Sequence, residues 1–366
     1  MITNLKDKIS TGQVTITVVS MIIGVGILTI PRTAADVIGT TDVWIAIILG
    51  GFVAMGASFI IVKLSERFPQ KTFYQYSQVI VGRFLGWILS LLLILYFIFF
   101  SGYEVRILAE LVRVYLLDKT PIEVIIISFM GVGTYLVVGG INPMVRLFEF
   151  YFPIIALMFL TFIGLSFKNF EIDNLRPVLS QGMMPVMKGL KTTILSYLGF
   201  ESMLILPAFM KYPNRAMKAV LVGIAIPTFF YFIMIVVVIG VLTVEEVKIL
   251  TWPTASLAME IDIPGGFLER FEVIFIFLWV LAIYTTFVAT YYFASLGLRQ
   301  LFKKDNHLFI YGLLPIIYIV AIIPPNTNVT FQMGDVISYM GVLVGGLIPI
   351  SLLGVAFIRR IGYEKK

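Results

Sequence analysis

The chain has no cysteine, one histidine and few charges among its 366 residues. Without cysteine there are no disulfides, no thiolate metal sites and no thiol nucleophile. The single histidine, His307, sits in a polar stretch with Lys303, Lys304, Asp305 and Asn306 and reads as a solvated residue. A histidine-based hydrolase or metal centre has nothing to build on. No nucleophile–base set, metal cluster or phosphate-cradling glycine loop is visible either. An enzyme, a metal site and a cofactor are therefore not expected. Charged residues make up 13%, against about a quarter in soluble domains.

What is abundant is apolar: 59% of the residues are hydrophobic, and the mean hydropathy is +0.99. That composition belongs to an all-α integral membrane protein sitting in a lipid bilayer. The net charge of +6 then reads as loop charge that orients the spans, with no nucleic-acid partner implied. A bilayer-crossing helix needs about 20 apolar residues. Ten such runs lie near 12–36, 42–64, 84–112, 121–139, 145–167, 189–209, 216–242, 267–297, 308–324 and 332–358. Loop signals such as SERFPQKT, GGINP, KYPNR and IPPNTN separate many of them. No soluble domain fits between the spans, so residues 1–366 are expected to form one transmembrane domain.

With the N-terminus inside, seventeen of the 27 Lys and Arg residues fall on inner segments and nine on outer ones. The positive-inside rule places both termini on the cytoplasmic side. The polar start, MITNLKDKIS, reads as a retained tail, not a signal peptide.

Span 1 contains MIIGVGILTIPRT, residues 21–33. Interior glycine costs roughly 1 kcal/mol against alanine in a helix and proline about 3. Ten spans divided five and five must form an inverted repeat, here about 12–167 and 189–358. An interruption in span 1 then predicts another in span 6. Span 6 supplies it in TTILSYLGFESMLILPAF, with Gly199 near its middle and Glu201 just after. Glycine also serves as a packing surface in membrane helices, but the paired position favours two broken helices. Unpaired backbone in lipid costs several kcal/mol, so a break is tolerated only where protein, ligand or water satisfies it. The half-helix restarting near Ile27 offers N–H groups to a carboxylate, and the end of the preceding half offers carbonyls to an ammonium or cation. Together the breaks suit a small zwitterion.

Glu201, a carboxylate inside a span, is a functional hypothesis by default. Proton coupling, binding of a ligand amine and a structural bond to unwound backbone all remain open for it. Glu104 stands close to Arg106, Glu110 and Arg113 and reads as structural, near the outer interface. Glu149 reads as interfacial. Tyr96, Phe100 and Tyr103 share a face of span 3, and Thr285 and Thr286 lie near the middle of span 8.

GVGILTIP in span 1 resembles the Gly-x-Gly signature of the amino acid–polyamine–organocation superfamily, and YPNRAMKAVLVG resembles a loop of those permeases. The block LTWPTASLAMEIDIPGGFLERFEVIFIFLWVLAIYTT, residues 250–286, resembles spore-germination receptor B subunits. The resemblance implies a LeuT-like fold with helices 1 and 6 broken. It implies residence in the spore inner membrane, A and C subunits as partners, and a small-molecule germinant as ligand. Carried over by position, the site comprises Gly24, Val25, Gly26 and Ile27 of span 1, and Tyr197, Leu198, Gly199, Phe200 and Glu201 of span 6. Tyr96, Ser101 and Thr285 line it. No full set of sodium ligands is evident. A receptor subunit sensing an amino acid is the leading expectation, and a proton-coupled amino acid permease the alternative.

Overall fold

The computed structural model of the chain describes residues 8–261 and 271–362. The polar N-terminal tail, the last four residues and positions 262–270 lie outside the described residues. Those positions include the expected start of span 8 and part of the 250–286 block.

The first span is two helices, α1 (Thr11–Ile23) and α2 (Gly26–Ile38), bent by 49° at Gly24–Val25. Ser10 and Gln13 start α1 with a capping box, each side chain accepting from the other's backbone N–H at 3.1 and 2.8 Å. Gly39, with φ of 70°, ends α2 in the left-handed cap conformation. Pro31 stays within α2, so the glycines and not the proline make the break.

The second span is α3 (Val43–Glu66). A short helix, α4 (Phe73–Val81), leads into α5 (Arg83–Tyr115), the third span. Spans 4 and 5 are α6 (Ile122–Val138) and α7 (Ile141–Ser166). The sixth span begins as α8 (Met184–Leu195), unwinds, and continues as two 3-10 turns, Phe200–Leu204 and Leu206–Phe209. The seventh is α9 (Ala216–Ile249), which leaves helical geometry at Thr243. That departure matches the sequence-based end at 242. The short α10 (Pro253–Met259) precedes the eighth span, α11 (Phe271–Phe302), and α12 (Asn306–Ile322) is the ninth. The tenth joins α13 (Thr327–Val342) to α14 (Ile348–Ile358) through a π-helical turn at Leu343–Leu347.

Among the described residues, six helices and the bent α1–α2 pair are long and apolar enough to cross a membrane, and α6 and α12 are shorter apolar helices. The broken sixth span completes the ten.

At the centre, α5 packs along α11 more extensively than any other pair of elements meets. The two breaks lie beside them. The π-helical turn of span 10 also faces the second break: a Cβ on Gly345 would lie 3.2 Å from the Phe200 ring and 3.3 Å from Glu201 Cβ. Three charges that the sequence placed toward the outer interface, Glu104, Arg106 and Glu110, are buried instead, while Arg113 is exposed. Arg106 Nε pairs with Glu110 Oε1 at 2.6 Å, and the Thr330 hydroxyl donates to the same oxygen at 2.9 Å. Because α5 runs on to Tyr115, Arg106 and Glu110 pair inside the protein and do not snorkel out of it, though Glu110 Oε2 is buried without a hydrogen-bond partner among the described residues.

Candidate functional site at the two helix breaks

Three glycines let the broken helices meet. Gly199 has φ of 126°, a conformation that side chains rarely adopt. A Cβ there would stand 2.7 Å from the Met21 carbonyl carbon and 2.9 Å from the Ile22 nitrogen. The backbone of span 6 thus crosses directly over the end of α1. At Gly26 a Cβ would lie 2.5 Å from the Tyr231 hydroxyl and 3.2 Å from the Ser196 carbonyl oxygen. At Gly24 it would meet the Thr286 hydroxyl at 2.4 Å and both Glu104 carboxylate oxygens at 3.1 Å.

A helix end leaves carbonyls without intrahelical partners. Here neighbouring spans supply them. The Tyr231 hydroxyl of α9 donates to the Ile22 carbonyl at 2.5 Å and lies 3.2 Å from the Ser196 carbonyl, so one side chain bridges both breaks. The Thr286 hydroxyl of α11 donates to the Ser20 carbonyl at 2.9 Å.

The two buried carboxylates are held differently. Glu201 accepts the Tyr96 hydroxyl on one oxygen and the Gly199 N–H on the other, both at 2.7 Å. It fastens the unwound backbone of span 6 to α5. Glu104, 1% exposed, accepts the Val25 N–H on Oε1 at 3.4 Å. Its Oε2 is buried without a hydrogen-bond partner among the described residues. The N-terminus of α2, which the sequence reading reserved for a ligand carboxylate, therefore already faces a carboxylate of the protein.

A cavity of about 170 Å³ opens beside Glu104. Span 1 contributes Val25, Gly26 and Thr29 to it, and span 6 contributes Ser196 and Leu198. Phe100 and Tyr103 of α5 and Asp335 of α13 complete the wall. Among the described residues, Glu104 and Asp335 are the charged ones that line it, with no lysine or arginine.

Of the residues expected at the site, Val25, Gly26 and Leu198 line this cavity, and Gly24 stands behind it against Glu104. Ile27, Tyr96, Ser101, Gly199, Phe200, Glu201 and Thr285 are buried around the breaks and do not line it. Tyr197 donates its hydroxyl to the Ile47 carbonyl at 2.9 Å, tying span 6 to span 2. Ser101 bonds the Phe97 carbonyl and Thr290, while Thr285 back-bonds to Ala282. Sequence reasoning missed Tyr231 and Asp335 and gave Glu104 too outward a position. The available signal for Glu104 was its place one helical turn beyond Phe100 on the face already noted for span 3.

Known proteins share the fold and the family. The profile of the family described as "Spore germination protein" matches residues 8–330. Spore germination protein YndE of Bacillus subtilis is 44% identical, over 97% of this chain and 98% of its own length. Spore germination protein A2 of the same organism is 34% identical over 96% of each chain. Among solved structures, MhsT in complex with L-phenylalanine superposes with a TM-score of 0.73 at 11% identity, covering 97% of this chain and 89% of its own. Mhp1, a nucleobase-cation-symport-1 family transporter with bromovinylhydantoin bound, gives 0.71 at 14%, covering 96% and 79%. The second pair shows the fold alone, and the first pair, with the profile, shows the lineage: the chain is a multi-pass membrane protein of LeuT-like fold and belongs to the spore germination protein family.

Proposed function

We propose that the chain is the ligand-sensing B subunit of a spore germinant receptor. It binds a small amine-bearing germinant, an amino acid by preference, in the cavity at the two breaks. It sits in the spore inner membrane with both termini on the core side and passes its change of conformation to A and C subunits. The two five-span halves, about 12–167 and 189–358, contribute one break each. The observation that carries the reading is the free Oε2 of Glu104 beside a cavity with a second carboxylate, Asp335, and no basic residue. A buried carboxylate with an open acceptor position suits an ammonium. Membership of the germination family supports the receptor role, and the L-phenylalanine held by the structurally similar MhsT supports an amino acid.

A proton-coupled amino acid permease is the second reading, favoured by the likeness to transporters. Only a permease must carry its ligand through a full cycle of access. A receptor needs only an equilibrium that ligand shifts and partners read. The test is paired. Protein reconstituted alone into proteoliposomes should bind labelled ligand without concentrating it, with or without a proton gradient. Spores lacking the gene should lose the response to one germinant class and keep the others. Gradient-driven accumulation together with normal germination of the deletion strain would establish the permease.

A further inference from the structure

We infer that a wedge between α4, the start of α5 and the end of α11 binds the phosphate head group of an anionic phospholipid. This goes beyond the germinant cavity, which lies elsewhere in the fold.

The wedge follows from one close contact. At Gly86 a Cβ would stand 2.4 Å from Gln78 Cα, so α4 touches the backbone of α5 there. Beside that contact a cavity of about 470 Å³ is bounded by Gln78, Arg83, Phe84, Trp87, Gln300 and Lys303. Its lining is cationic and aromatic. Arg83 and Lys303 are both exposed, and neither belongs to any ion pair among the described residues. Lys303 has φ of 55°, the left-handed position after a helix where glycine fits with less strain. Gln300 uses its side-chain oxygen to accept the Thr72 hydroxyl, so its amide N–H groups are what it has left to offer. Among the described residues, no carboxylate lines the space.

The aromatic part lies where a lipid would continue. Trp87 meets Phe302 edge to face at 5.9 Å, and Phe84 is 78% exposed at the first turn of a membrane span. Tryptophan beside cations at a span end marks the interfacial zone. Basic pockets between spans at that depth attract anionic head groups. A free phosphate would use the two cations and leave the aromatic shelf idle, whereas a lipid uses both. The wedge lies on the face where the tenth span ends, Arg359 there donating to the Ile80 carbonyl of α4 at 2.6 Å. Calling that face the core side rests on the proposed orientation, but the head-group chemistry does not.

The full chain, stripped of lipid in a neutral detergent, is placed in nanodiscs of phosphatidylcholine with or without phosphatidylglycerol. Thermal melting and native mass spectrometry of retained lipid are read for the wild type and for Arg83→Gln/Lys303→Gln. The wild type should retain phosphatidylglycerol at least tenfold over phosphatidylcholine and melt higher in its presence. The double variant should lose both effects while melting like the wild type in phosphatidylcholine. If the double variant melts lower there, the single Lys303→Gln variant carries the comparison. Lys304→Gln, outside the cavity, should change nothing. Equal retention of the two lipids, retention unaffected by the variants, or the same protection from inorganic phosphate in detergent would overturn the inference.

Discussion

At Glu201 both carboxylate oxygens have donors, Tyr96 and the Gly199 N–H, and this decides what a substitution does. Glutamine can accept from Gly199 through its oxygen and donate to the tyrosine oxygen through its nitrogen. Glu201→Gln should therefore fold and melt close to the wild type. Glu201→Ala orphans two buried groups at about 1–3 kcal/mol each, and should lower both the melting temperature and the yield in detergent. Equal, wild-type melting of both variants would remove Glu201 from any structural role. Gly26 argues a different case. A side chain there collides with Tyr231 and Ser196 and fills the cavity wall. Gly26→Leu should abolish the germination response while leaving some protein in the membrane. A normal response would show that span 1 does not form the site.

At the scale of the element, the crossing of the two breaks is the feature under test. Gly199→Ala adds a strained φ, about 1–3 kcal/mol, to a collision with the backbone of α1. It should largely eliminate folded protein, measured by monodispersity after extraction. Gly131→Ala, where a Cβ meets nothing within 4 Å, is the matched control and should behave as the wild type. The breaks themselves were legible in the sequence, since paired glycines in spans 1 and 6 violate helix propensity in a way lipid does not forgive. Their bonding partners were not. Tyr231 reads as one aromatic among many in an apolar span. Only its position between the Ile22 and Ser196 carbonyls gives it a role. Glu104 was displaced outward because three charged neighbours follow it. What overrode that reading was the long run of α5 to Tyr115 and the internal pairing of Arg106 with Glu110. Asp335 lies only three residues into the expected tenth span, where a carboxylate reads as interfacial, and the packing of α13 beside α5 is what brings it to the cavity.

Across the whole molecule, the expectation of ten spans and the loop charge bias predict that both ends face the cytoplasm. A reporter fused after Lys366 should be active only in its cytoplasmic form, and activity in the exported form would mean a miscounted span. The proposed function turns on a ligand ammonium being met by Glu104 in the cavity between the broken helices. The most direct measurement is calorimetric titration of the purified full chain with L-amino acids and their deaminated carboxylic acid counterparts. The same titration is repeated on Glu104→Gln. Losing one partner of a buried charge pair costs about 2–5 kcal/mol. A ligand keeping its amino group should bind at least about thirtyfold tighter than its deaminated counterpart, and Glu104→Gln should erase most of that preference without unfolding the protein. Equal binding of the deaminated acid, or an amine preference unchanged in folded Glu104→Gln, would contradict it.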